Sequence, residues 1–296
     1  MRVAAVDLGT NSTRLLVADV DLENGRVDEI VRRTVVTGLG EGVDTRRRLL
    51  PVPIARVRNA LADFRRELET LGAERTLAVA TSAVRDAENG EAFLGEIEWS
   101  YGFATRLLSG DEEADLTRTG VGALEDRTLL LDVGGGSTEL TAGSSRTSLD
   151  IGSVRLTERF LHGDPPTPAE LDGAAAAVRA LLPDLEVSAA VGVAGTVGQL
   201  ALLAGSDELS AAAVERFARE LAALPLAARR NVQGLVPERA PVIVAGALIV
   251  REVLSRYGLD AIHFSVRDLL DGAALAAAAL PEPEEGAAPP GAFTCC

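Results

Sequence analysis

Nine residues near the start of the chain, Asp7-Leu8-Gly9-Thr10-Asn11-Ser12-Thr13-Arg14-Leu15, recur 125 residues later as Asp132-Val133-Gly134-Gly135-Gly136-Ser137-Thr138-Glu139-Leu140, with five of nine positions identical. Each copy follows an apolar run (Val3 to Val6; Leu129 to Leu131) and precedes another (Leu15 to Val20; Leu140 to Ala142). That reads as strand, tight turn, strand, with a tip rich in glycine and hydroxyls. A repeat this long implies two related domains, expected over 1–123 and 124–280. The proline-, glutamate- and glycine-rich segment 281–296 is expected to be a flexible tail.

The pattern between and after the copies is α/β. Apolar residues at 54, 57, 61, 64, 68 and 71 form a helical stripe that ends at Gly72. Leu77 to Ala80 and Phe103 to Leu108 read as short buried strands. Ser109-Gly110-Asp111-Glu112 is a capping box that opens a helix through Val121, and Thr167-Pro168-Ala169-Glu170 is a second one. Val187 to Val193 is a strand that enters Gly195-Thr196.

Composition removes several chemistries. The net charge of −15 argues against a nucleic-acid partner, though not against a polyanion held in a locally basic groove. None of the 296 residues is lysine, which excludes a Walker-type P-loop and lysine Schiff-base chemistry. The two cysteines, Cys295 and Cys296, allow no disulfide framework and no spaced metal cluster. The most apolar stretch, Val242 to Val250, is too short to span a membrane, so a cytoplasmic protein is expected, without membrane or nucleic-acid partners.

The hairpin tips carry the chemistry. Gly9, Thr10, Asn11, Ser12 and Thr13, and in the second copy Gly134, Gly135, Gly136, Ser137 and Thr138, can turn backbone N–H groups and hydroxyls toward one anion. Asp7 and Asp132, at the strand ends before each turn, are placed to hold hydrated Mg2+, which takes one or two carboxylates together with waters and phosphate oxygens. One such turn fits a plain hairpin; two that keep both acid and hydroxyls point to phosphate. Gly195 and Thr196 fit either a helix N-terminus against phosphate or a close-packed strand-to-helix turn. His162 and His263 read as structural.

These elements, in this order, resemble the acetate and sugar kinase, Hsp70 and actin superfamily. Ala80-Thr81-Ser82-Ala83-Val84-Arg85-Asp86-Ala87, Ser109-Gly110-Asp111-Glu112-Glu113-Ala114, Asp132 to Leu140, Gly152-Ser153-Val154-Arg155, Gly195-Thr196 and Ser265-Val266-Arg267-Asp268…Asp271-Gly272 together resemble the exopolyphosphatase / guanosine pentaphosphate phosphohydrolase family. The resemblance implies two ribonuclease-H-like (actin-like ATPase) α/β domains with mixed sheets flanking a cleft. It implies hydrolysis of the terminal phosphate of inorganic polyphosphate, with a guanosine polyphosphate as the alternative substrate and a small-molecule kinase as the alternative activity. It further implies Glu113 as general base, Arg85 as a phosphate-binding arginine and Glu139 as a third acid at the metal. Mg2+, with Mn2+ as an alternative, is the implied cofactor, and a homodimer and a place in the stringent response are implied with it. Gly38 stands where the family often has arginine, so one phosphate contact is either absent or supplied by Arg46, Arg47 or Arg48, which read equally as a solvated loop. The family's additional C-terminal helical domains do not follow the two-domain core here, which implies short polyphosphate chains as substrate.

Overall fold

The computed structural model describes residues 1–281 and divides them into two units. Of the expected tail 281–296, residues 282–296, with Cys295 and Cys296, lie outside the described residues.

The first unit comprises Met1–Val121 and returns at Leu269. Its sheet has the order β3-β2-β1-β4-β5, built from β1 (Arg2–Leu8), β2 (Ser12–Asp21), β3 (Arg26–Val36), β4 (Arg75–Ala80) and β5 (Ala104–Leu107). β1, β2 and β3 pair antiparallel, while β4 and β5 continue from β1 in parallel. The helices before the return are α1 (Val43–Arg46), α2 (Pro51–Leu71), α3 (Ser82–Asp86), α4 (Gly90–Tyr101) and α5 (Gly110–Val121). Residues 3–6 and 8 of β1 are fully buried, because both faces of this strand are covered. The pleat sends Ala4, Val6 and Leu8 to one face, where Val57, Leu61 and Phe64 of α2 pack. Val3 and Ala5 go to the other.

The second unit is Gly122–Asp268. Its strands are β6 (Thr128–Val133), β7 (Thr138–Ala142), β8 (Ser145–Leu149), β9 (Ala189–Val193), β10 (Glu208–Ser210) and β11 (Ala261–Phe264), in the order β10-β11-β9-β6-β7-β8. Read from β8, this is the arrangement of the first sheet with β10 added at the far edge. Again three antiparallel strands lead into parallel neighbours, β6 beside β9 and β9 beside β11. Both sheets thus have the ribonuclease-H-like strand order. The helices are α6 (Ser153–Phe160), α7 (Pro168–Leu181), α8 (Ala194–Ala204), α9 (Ala211–Ala222), α10 (Leu226–Arg229) and α11 (Ile243–Tyr257). The apolar run around Val242–Val250 is the buried start of α11. Among the described residues no helix is long and apolar enough to cross a membrane.

The second domain, expected to run to residue 280, ends at Asp268. The last helix, α12 (Leu269–Ala278), packs Leu269, Leu270, Ala273, Ala274 and Ala277 on the face of the first sheet that carries Val3, Ala5, Leu16 and Val79. Asp271 pairs with Arg32 of β3 at 2.9 Å, and Arg75 of β4 donates to the carbonyl of Ala278 at 2.8 Å. An apolar helix goes where a sheet face is bare, and nothing in its own sequence says which sheet that is.

Candidate functional site

The two repeats are hairpins with the same internal bonding. In the first, β1 and β2 close on residues 9–11, and the Gly9 amide donates to the carbonyl of Ser12 at 3.1 Å. In the second, β6 and β7 close on residues 134–137, and the Gly134 amide donates to the carbonyl of Ser137 at 3.1 Å. In each unit the segment after the third strand satisfies the carbonyls of the tip. Thr37 and Gly38 donate to Asn11, and Gly40 to Thr10, at 2.8–3.1 Å. Ser153 donates to Gly134, and Val154 and Arg155 to Gly135, over the same range. Among the described residues, the N–H groups of Thr10, Asn11, Gly135 and Gly136 donate to no backbone carbonyl. Each tip is therefore a turn with its acceptors satisfied from behind and its donors available, the arrangement an anion selects.

The hydroxyls divide into two groups. Thr13 and Thr138 are fully buried; Thr13 shares a hydrogen bond of 3.0 Å with Thr37, and Thr138 donates to the carbonyl of Ile151 at 2.5 Å. Both were read as phosphate donors; the structure instead engages them in tying each hairpin to the segment behind it. Thr196 is a third such case: its hydroxyl donates to the carbonyl of Val133 at 2.8 Å, which fixes the end of β6. Thr10 shares a 2.9 Å hydrogen bond with Ser82, which joins the first tip to the start of α3. Ser12 and Ser137 are buried at the tips themselves.

The acids differ between the copies. Asp7 and Arg14 are register partners on β1 and β2, and the guanidinium lies 2.8 Å from Oδ2 of Asp7. Asp132 and Glu139 are the register partners at the equivalent place on β6 and β7, and both are buried. Ser148 donates to Oε1 of Glu139 at 2.8 Å. Mg2+ takes one or two carboxylates together with waters and phosphate oxygens, and Asp132 and Glu139 fit that demand. Asp7, also read as a ligand, is held by the Arg14 guanidinium of its own hairpin. Among the described residues no three His, Cys, Asp or Glu side chains form a metal cluster, and Mg2+ bound through two carboxylates, waters and phosphate needs none.

Glu113 and Arg85 come together in the first unit. The capping box is formed: Glu112 accepts from the Ser109 amide at 2.8 Å, and its own amide donates to the Ser109 hydroxyl at 3.3 Å. The Ser109 amide, then the Arg106 guanidinium and the Ser109 hydroxyl, lower the Glu112 pKa to about 2. Glu112 is therefore committed to the helix end. Glu113, one residue on, is only 7% exposed, and its Oε2 lies 3.6 Å from Nη1 of Arg85. Arg85 leaves β4 through the short α3 and donates to the carbonyl of Leu108 at 2.6 Å, which aims its fork at the start of α5.

Sequence reasoning missed the close approach at Gly152 and the part of Arg239 in the packed turn at Gly195, both behind the second hairpin. A side chain at Gly152 would begin 2.5 Å from the Gly135 carbonyl, so only glycine lets α6 reach the tip. A side chain at Gly195 would begin 2.3 Å from the Arg239 guanidinium, which lies flat on that turn. The preceding Ala194 has φ 61°, a strained value for a residue with a side chain. Arg155, quoted in a motif but given no role, is buried on α6 beside Asp150 at 3.7 Å. In the first unit Gly38 has φ 60°, and a side chain there would collide with Glu41; this accounts for glycine where arginine was expected. Arg46, Arg47 and Arg48 are exposed, Arg46 as the last residue of α1 and Arg47 as its cap.

A family model described as the Ppx/GppA phosphatase family matches residues 16–278. Exopolyphosphatase 2 of Mycobacterium tuberculosis is 39% identical, over 94% of this chain and 98% of its own length. Among solved structures, an exopolyphosphatase-like protein superposes with a TM-score of 0.86 at 32% identity, over 93% of this chain and 97% of the other. The Aquifex aeolicus PPX-GPPA enzyme does so at 0.76 and 28%, over 93% and 99%.

Proposed function

This chain belongs to the Ppx/GppA phosphatase family, and from that membership and the site we propose that it is an exopolyphosphatase that cleaves the terminal phosphate from inorganic polyphosphate. The observation that carries the reading is Glu113, a buried carboxylate at the start of α5, set 3.6 Å from the Arg85 guanidinium. A hydrolase of phosphoanhydrides needs a base for water and a cation for phosphoryl oxygens, and this pair offers both. In the proposed reaction Glu113 accepts a proton from the attacking water, whose oxygen bonds to the terminal phosphorus. The bond to the bridging oxygen breaks, and the shortened chain leaves. Arg85 binds oxygens of the transferred group through its planar fork. In the first unit the N–H groups of Thr10 and Asn11 would hold phosphate oxygens, with Thr13 keeping that turn in place; in the second unit Gly135 and Gly136 offer the same kind of anion-binding turn, kept in place by Thr138 and Thr196. Asp132 and Glu139 would hold Mg2+, which supplies neutralisation of charge on the phosphoryl oxygens.

The test is phosphate release from short and long polyphosphate with Mg2+, by the native protein and by Glu113→Gln. The native protein releases phosphate and the variant is slower by about 10²–10⁴-fold. No release from polyphosphate, with release from guanosine pentaphosphate, would move the substrate to the nucleotide. Unchanged activity in Glu113→Gln would remove the assigned base.

A further inference from the structure

We propose that Gly272 is a positioning residue for the reaction: it sets the place of α5, and through α5 the place of Glu113. This rests on the reading of Glu113 as general base. A Cβ at residue 272 would lie 1.9 Å from the backbone carbonyl oxygen of Leu116 and 2.7 Å from its carbonyl carbon. Contacts of carbon with a carbonyl oxygen settle at about 3.3 Å or more. Alanine at 272 therefore drives the two helices apart by about 1.4 Å along that line. The obstacle is backbone, so no side-chain rotation relieves it.

The geometry decides which helix yields. α12 is held to the first sheet at both ends, by the Asp271–Arg32 pair beside Gly272 and by Arg75 on the Ala278 carbonyl. Its apolar side is buried against β1, β2 and β4. The buried residues of α5 are Glu113, Ala114, Thr117 and Gly120, a stripe of small side chains with the glutamate at its head. Thr117 donates its hydroxyl to the Glu113 carbonyl at 2.8 Å, so Glu113 and the turn beside Leu116 shift together. A displacement of about 1 Å at a reacting group far from the mutation costs about 10²-fold in rate.

The experiment compares steady-state polyphosphate hydrolysis and thermal unfolding in Gly272→Ala, Asp271→Asn and Ala274→Gly, each also in the Glu113→Gln background. Gly272→Ala is expected to lower kcat about 10²-fold with KM unchanged. Asp271→Asn, which loosens the same end of α12 without a clash, lowers kcat several-fold and serves where the alanine variant does not fold. Ala274→Gly, buried on the same helix and introducing no clash, lowers Tm with kcat unchanged. In the Glu113→Gln background the Gly272 and Asp271 substitutions lower kcat no further, since they act through a base already removed. A kcat within twofold of the native value in folded Gly272→Ala, or an equal loss with and without Glu113, overturns the proposal. Full activity of Glu113→Gln alone instead overturns the assignment of the base.

Discussion

Asp132 and Glu139 face each other across β6 and β7 at the place where Asp7 and Arg14 face each other across β1 and β2. One duplicated hairpin thus carries two buried acids, and the other a closed ion pair at 2.8 Å. With a divalent cation between them the two acids become a binding site. Glu139→Gln should therefore shrink the rise in Tm produced by millimolar Mg2+. Differential scanning calorimetry with and without Mg2+ reads that shift, since an ion bound only to the folded state stabilises by mass action. Equal Mg2+ shifts in the two proteins would place the ion elsewhere.

The ion pair of the first hairpin bears on stability directly. The Arg14 and Asp7 side chains are 13% and 6% exposed, so Arg14→Ala leaves a buried carboxylate without its guanidinium. Breaking such a pair from one side costs about 3–5 kcal/mol. The double variant Arg14→Ala with Asp7→Asn should recover part of that loss in urea unfolding, because the stranded charge goes as well.

Both hairpins and the strands β4, β5 and β9 were legible because they rest on local patterns, apolar runs, a glycine break and a repeat that names the same turn twice, whereas the sheet architecture was reached through the family resemblance. The capping box at Ser109 was likewise legible from a local pattern. The destination of α12 was not, since Asp271 meets Arg32 239 positions away. Nor were Gly152 and Gly272, which are glycines because another part of the backbone comes close. The hydroxyls of Thr13, Thr138 and Thr196 show the complementary limit. A sequence reveals that a donor is present at a turn, not whether it faces a ligand or the carbonyl behind it.

Gly152→Ala tests the support behind the second tip. The added carbon would sit 2.5 Å from the Gly135 carbonyl and 2.6 Å from the Gly136 nitrogen, so α6 or the tip must move. Overpacking of this kind costs about 1–3 kcal/mol. The displaced amides should also raise KM for polyphosphate by about tenfold. A KM within twofold of the native value would show that the tip does not contact substrate.

Glu112 and Glu113 are neighbours that their bonding separates. The Glu112 pKa is lowered from 4.5 to about 2, first by the Ser109 amide. The fold therefore favours its ionised form, and that contribution is complete above about 4.5 and vanishes as pH falls toward 2. Glu112→Gln should lower Tm at pH 7, and the difference from the native protein should close on acidification. Ser109→Ala, which removes the other half of the box, costs about 1 kcal/mol at neutral pH. Both variants should keep kcat at pH 7 within a few-fold of the native value, since Glu112 serves the helix end. Glu113→Gln should show the reverse, with activity lost and the Glu112-dependent part of the stability profile retained. Loss of kcat in Glu112→Gln as large as in Glu113→Gln would make the two acids a single functional unit and remove the distinction drawn from their bonding.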